Sequence, residues 1–95
     1  MRVSPKEFVV LDLLASSHMY GLELVKKSDG RLKRGTVYVL LGRLEDKGLV
    51  TSELGERPDR PESKLRIYSL TGLGATARNA YAQLNDELGG LGAPA

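Results

Sequence analysis

The chain has 95 residues, 41% of them apolar and 27% charged, with a formal net charge of +2 and no cysteine. That length holds one domain with a modest core and no separate catalytic half, and the missing cysteines exclude disulfides, zinc–thiolate sites and thiol nucleophiles. No apolar run approaches the roughly 20 residues of a membrane span, and Glu7 and Asp12 interrupt the N-terminal apolar stretch, unlike a secretion signal, so a cytoplasmic location is expected.

Ser4-Pro5-Lys6-Glu7 opens the first helix. Ser4 and Glu7 have the spacing of a reciprocal capping box, and Pro5 suits a first helical position, where no N–H is needed. Phe8, Val9, Leu11, Leu13, Leu14 and Ala15 follow almost without a break, so this helix is expected to be covered on more than one side and to stop near Ser16-Ser17. Tyr20 to Lys27 reads as a short second helix, ended by Ser28-Asp29-Gly30, with Leu24 and Val25 inward and Lys26 and Lys27 outward.

Arg31-Leu32-Lys33-Arg34 forms a basic link into a third helix beginning at Gly35-Thr36. There Val37, Leu40, Leu41, Leu44 and Gly48 share one face, with the spacing of an amphipathic helix. Lys47 favours the negative end of the helix dipole, and Gly48 supplies a left-handed cap. The runs 49–54 and 64–70 read as two strands. Between them Gly55, Pro58 and Pro61 favour an irregular, loose hairpin tip. Both parities of residues 65–70 carry apolar side chains, so either pleat register is open. Thr71 caps a last helix striped by Leu73, Ala77, Ala80, Tyr81, Leu84 and Leu88, and residues 89–95 read as a flexible tail.

Charge is unevenly spread along this order. Residues 31–66 hold nine bases against six acids, whereas 1–30 balance and 67–95 hold one base against two acids. The basic share thus coincides with the third helix and the hairpin, as a polyanion-binding face requires. The expected fold is mainly α with a small β-hairpin: a winged helix-turn-helix over 1–70 with a two-stranded wing, then a C-terminal dimerisation helix over 71–88.

Opposite Val37, the third helix presents Gly35, Val39, Gly42, Arg43 and Asp46, flanked by Thr36 and Tyr38. Gly35 and Gly42 allow close approach of a backbone to DNA, and Thr36 and Arg43 are placed to address base edges, Arg43 in bidentate fashion on guanine. Lys33 and Arg34 at the helix start suit phosphate. Arg57, Arg60, Lys64 and Arg66 on the hairpin are candidates for backbone or minor-groove contact. His18 has no cysteine or second histidine beside it and is not expected to hold a metal. No Ser/His/acid set, phosphate-cradling loop or paired carboxylates stand out, so an enzyme is the poorest fit.

Leu13-Leu14, Tyr20-Gly21-Leu22-Glu23-Leu24, Gly35-Thr36-Val37-Tyr38, Leu41, Arg43-Leu44-Glu45, Lys47-Gly48-Leu49-Val50, Tyr68-Ser69-Leu70-Thr71 and Gly74 together resemble the PadR family of transcription regulators. The resemblance implies that Tyr38 contacts DNA and that two subunits pair through the C-terminal helix, often with the first helix. Phe8, Leu11, Leu73, Ala77, Tyr81, Leu84 and Leu88 are then the candidate dimer residues. It also implies repression of target genes. Three features depart from the family: a single short C-terminal helix, Gly72-Leu73 where an acidic pair is usual, and no tryptophan to stack on the aromatic inducers that some members take. No cofactor is expected; a small aromatic inducer at the dimer seam stays open through the resemblance alone, with no support from the residues. The function read from the sequence is a homodimeric, sequence-specific binder of double-stranded DNA. The rival reading is a winged-helix adaptor whose apolar helices bind a different protein, and oligomeric state separates the two.

Overall fold

The computed structural model describes residues 2–57 and 60–92, with side chains over 2–55 and 65–84. The elements are α1 (Pro5–Leu14), β1 (Met19–Tyr20), α2 (Gly21–Lys27), α3 (Arg34–Asp46), β2 (Val50–Arg57), β3 (Arg60–Leu70) and α4 (Gly72–Gly92).

Helix α1 starts as its sequence dictates. The Ser4 hydroxyl accepts from the Glu7 amide at 3.1 Å, and the Glu7 carboxylate accepts from the Ser4 amide at 2.9 Å, satisfying two donors that a helix start leaves open. Val9, Val10, Leu11 and Leu14 are buried on successive sides of the helix. A tight turn follows α2, with Asp29 and Gly30 both at positive φ. It is pinned by the fully buried Ser28, whose hydroxyl donates to the Val25 carbonyl and accepts from the Leu32 amide. Leu32 thereby enters the core just before α3.

Val37, Leu40, Leu41 and Leu44 of α3 are buried together with Leu24, Leu32, Leu49 and Val50 around α1. Lys47 forms the C-cap, and Gly48 follows at φ 76°, a conformation that side chains with a Cβ adopt at a cost. The Lys47 ammonium reaches back to the Glu7 carboxylate (2.8 Å) and the Arg2 carbonyl (2.7 Å). Burial acts to raise the Glu7 carboxyl pKa, but the bond to Lys47 and the Ser4 hydrogen bonds outweigh it, so the group sits below its ordinary value. The end of α3 is therefore tied to the start of α1.

The sheet is antiparallel in the order β1-β3-β2. Its register, open at the sequence level, pairs Val50 with Leu70, Ser52 with Tyr68 and Leu54 with Arg66. Val50 and Tyr68 point to the core, and Thr51, Glu53, Ile67 and Ser69 lie on the other face. The third strand was not expected: Met19 and Tyr20 pair with Tyr68 and Ile67. The wing strands are also longer than expected, running to Arg57 and from Arg60. A register shift between Glu56 and Arg57 leaves Pro61 between the paired positions Arg60 and Lys64, where a residue without an N–H is tolerated.

Thr71 starts α4. Its hydroxyl accepts from the Gly74 amide (3.0 Å) and donates to the Gly48 carbonyl (2.6 Å). A Cβ on Gly74 would collide with the Leu49 carbonyl oxygen, so this glycine is what lets α4 start against the link between α3 and β2. The helix continues over Gly89 to Gly92, where a flexible tail was expected. Propagating an existing helix needs one residue fixed per bond gained, which offsets the weak propensity of glycine. Arg78 of α4 donates to Asp12 of α1 through Nε (3.0 Å) and Nη2 (2.6 Å), a bridge between distant segments that no local pattern announces.

Candidate nucleic-acid interface

The inward face of α3 is fixed by four buried side chains, and this sets what faces out. Gly35, Thr36, Tyr38, Val39, Gly42, Arg43 and Asp46 are all exposed, as are Lys33 and Arg34 at the helix start. Lys33 occupies the N-cap in an extended conformation, and its side chain does not cap the helix. Thr36 is only loosely held, its hydroxyl 3.4 Å from the Lys33 carbonyl. The positive end of α3 and two cations thus open on the same side, an arrangement that attracts phosphate.

Tyr38 is half exposed. Its ring lies across Gly21 at the start of α2, where an added Cβ would stand 2.6 Å from ring atom Cε1. The Tyr20-Gly21 and Gly35-Thr36-Val37-Tyr38 motifs therefore meet: glycine at 21 leaves room for the tyrosine of α3, which keeps one side free. Sequence reading had found both motifs without their contact.

At the other end of α3, Arg66 Nη1 donates to the Ser52 hydroxyl (3.1 Å), and that hydroxyl donates to the Glu45 carboxylate (3.0 Å). Arg66 is exposed, but it is also part of a bridge holding the wing to α3. Tyr68 lies beside this bridge. Burial raises its hydroxyl pKa, Glu45 adds to the rise, Arg66 opposes it and Tyr38 adds again, so it is a neutral phenol at ordinary pH. Nothing in the sequence announces that Ser52 and Glu45 meet Arg66, because the register that joins them is long-range. Arg57 and Arg60 pair at the far end of the hairpin, with Lys64 opposite Glu56. The side chains of Arg57, Arg60 and Lys64 lie outside the described residues.

A second open surface lies along α4. Arg2, Val3, Leu73, Thr76, Ala77, Ala80, Tyr81 and Leu84 line an open groove of about 480 Å³. Leu73 is 50% and Leu84 54% exposed, which is unusual for leucines flanking a core. Phe8 stacks on Tyr81 with ring centroids 4.5 Å apart and an interplanar angle of 21°. One candidate dimer residue is corrected: Leu11 is completely buried within its own subunit, since α1 turns it toward α3 and the sheet, and it is out of reach of a second chain. The side chain of Leu88 lies outside the described residues. Among the described residues no helix is long and apolar enough to cross a membrane, and no three His, Asp or Glu side chains gather as a metal site.

Three packed helices, the third with an uncovered outer face flanked by cations at its start, and a wing held to its end define a winged helix-turn-helix protein. The profile of the "Transcriptional regulator PadR-like family" matches residues 10–80, and the chain belongs to that family. It is a DNA-binding transcriptional regulator and not an enzyme. In structure it is similar to a PadR family transcription regulator from Clostridium difficile, with a TM-score of 0.81 at 24% identity over 93% of this chain and 94% of that one. A Streptococcus transcriptional regulator gives a TM-score of 0.75 at 29% identity, covering 86% and 82%. A PadR-like transcription factor from Bacteroides fragilis gives 0.69 at 25% identity, covering 90% and 88%. No curated protein matches the sequence.

Proposed function

We propose that the protein is a homodimeric repressor that lays one α3 from each subunit into successive major grooves of a near-palindromic operator. The observation that carries this reading is the uncovered face of α3, where Arg43, Val39 and Thr36 are exposed, two glycines have open space above them, and Lys33 and Arg34 flank the helix start. A two-fold pair places its half-sites about one helical turn apart, or a multiple of it. The groove along α4 is the surface that the second subunit covers, with Phe8, Leu73, Ala77, Tyr81, Leu84 and Leu88 on the seam. Lys33 and Arg34 hold phosphate, Arg43 and Thr36 address bases, Tyr38 contacts the duplex beside them, and Arg57, Arg60, Lys64 and Arg66 follow the backbone from the wing. Repression follows from occupancy, since a dimer spanning two grooves blocks the same DNA to polymerase. No cofactor enters this scheme.

Selection of bound duplexes from a random pool tests it directly. Symmetric half-sites should emerge, with affinity falling steeply as salt rises because phosphate contacts release counterions. Unsymmetric sites, or binding indifferent to salt, would overturn the dimeric operator reading. A reporter carrying the selected site should be transcribed more strongly when the protein is removed.

A further inference from the structure

We infer that Val39 reads the C5-methyl group of a thymine in each operator half-site. The inference deepens the proposed role of α3 and rests on it. Val39 stands in the middle of the outward face with 54% of its surface exposed. A β-branched apolar side chain is a poor choice there on local grounds, since it loses rotamer freedom in a helix and leaves hydrocarbon in water.

Its neighbours sharpen the point. On the same face, one turn before and one turn after, are Gly35 and Gly42. A Cβ built on either meets nothing within 4 Å, and neither has the positive φ that demands glycine. The fold therefore needs neither glycine, although each costs the helix about 1 kcal/mol relative to alanine. What two such glycines do provide is a low helix surface above which the Val39 isopropyl group projects between Thr36 and Arg43, able to press against something outside the chain. Around this bare patch cations predominate, with Lys33 and Arg34 before it and Arg43 one turn beyond, against Asp46 alone on the same face.

A narrow apolar knob in a cationic frame matches one feature of duplex DNA. The thymine C5-methyl is the one alkyl group that the major-groove edge of the bases presents. The patch is too small and too charged at its edge for the apolar centre of a protein interface. Val39 and Arg43 are four residues apart, so about 6 Å of helix rise separates them. With bases stacked about 3.4 Å apart along a strand, the thymine lies within about two base pairs of the guanine taken by Arg43.

The test replaces each thymine of the selected operator, position by position and in both half-sites together, with deoxyuridine. Pairing is unchanged and only the methyl group is lost. Burial of one such group corresponds to about a fourfold change in affinity per half-site, so one symmetric pair of positions should weaken binding by roughly 15-fold. In the Val39→Ala variant, thymine and uracil duplexes should bind alike. This variant should keep its fold because Val39 is 54% exposed and stands outside the core cluster, and an unchanged melting temperature checks that. Uracil tolerated at every position, or a methyl effect that survives in Val39→Ala, overturns the inference and leaves DNA binding intact. A chain that binds no duplex from the pool brings down the reading of α3 as well.

Discussion

Helices α3 and α4 both turn one side to the core and leave the other uncovered, yet the open sides differ in every physical respect. That of α3 is cationic at its rim, carries two glycines and is anchored at both ends, by Tyr38 on Gly21 and by the Glu45–Ser52–Arg66 bridge. That of α4 is apolar, with two half-exposed leucines beside a stacked aromatic pair. A polyanion is attracted to the first surface and a hydrocarbon face to the second. The two partners proposed above, DNA and a second copy, differ as these two faces do.

The comparison can be broken first at α4. Leu84→Glu puts a charge in the proposed seam, at a side chain already 54% exposed, so the subunit should still fold. Sedimentation should then find monomers, and operator affinity should fall by on the order of a hundredfold because the two half-sites are no longer linked. Persistent dimers in this variant would remove α4 from the seam. At α3 the expected effects are smaller and base-dependent. Arg43→Ala should cost about 1–3 kcal/mol of discrimination at a single base pair, whereas Lys33→Ala should weaken all duplexes alike and lower the salt slope by about one. Titrations over a panel of operator variants at several salt concentrations separate the two behaviours.

Two further variants address the anchoring of α3. Gly21→Ala drives a Cβ toward the Tyr38 ring and should lower stability by about 1–2 kcal/mol in thermal unfolding. Adding Tyr38→Ala should abolish that cost, and failure of the pair to rescue would mean that the ring is not the obstacle. The least effect is expected at Glu7. Its carboxyl pKa is lower in the folded chain than the ordinary value of 4.5, so its stabilisation is complete above that value and disappears as pH falls through the folded value. Glu7→Gln keeps a side chain able to serve the cap but cannot titrate. Urea unfolding should show a difference of about 1 kcal/mol near neutrality that closes on acidification.

What could be read from the sequence was what local chemistry determines. The Ser4–Glu7 cap, the buried stripe of α3 and the left-handed Gly48 depend on residues within a turn or two of one another, and each is found where it was expected. The outward side of α3 followed from the inward one by helical geometry alone. Features that depend on distant pairing were hidden. Strand β1 has two residues and exists only through Tyr68 and Ile67, nearly fifty positions away. Glu7 reads as a cap residue, and nothing near it in sequence shows that it also accepts from Lys47. Leu11 was placed on a seam because α1 is apolar on more than one side, and only packing decides which of those sides its own subunit uses. Pro61 reads as a strand breaker until a register shift excuses its missing donor.

The residues ahead of α1 have a mechanical consequence. Arg2 and Val3 form one edge of the α4 groove, while the Arg2 carbonyl receives the Lys47 ammonium that closes α3. This short stretch is a tie-rod between the two working surfaces. Trimming it would slacken both at once, so an N-terminally shortened chain that still folds would register as a fault in pairing and in DNA reading together, with a single lesion behind both.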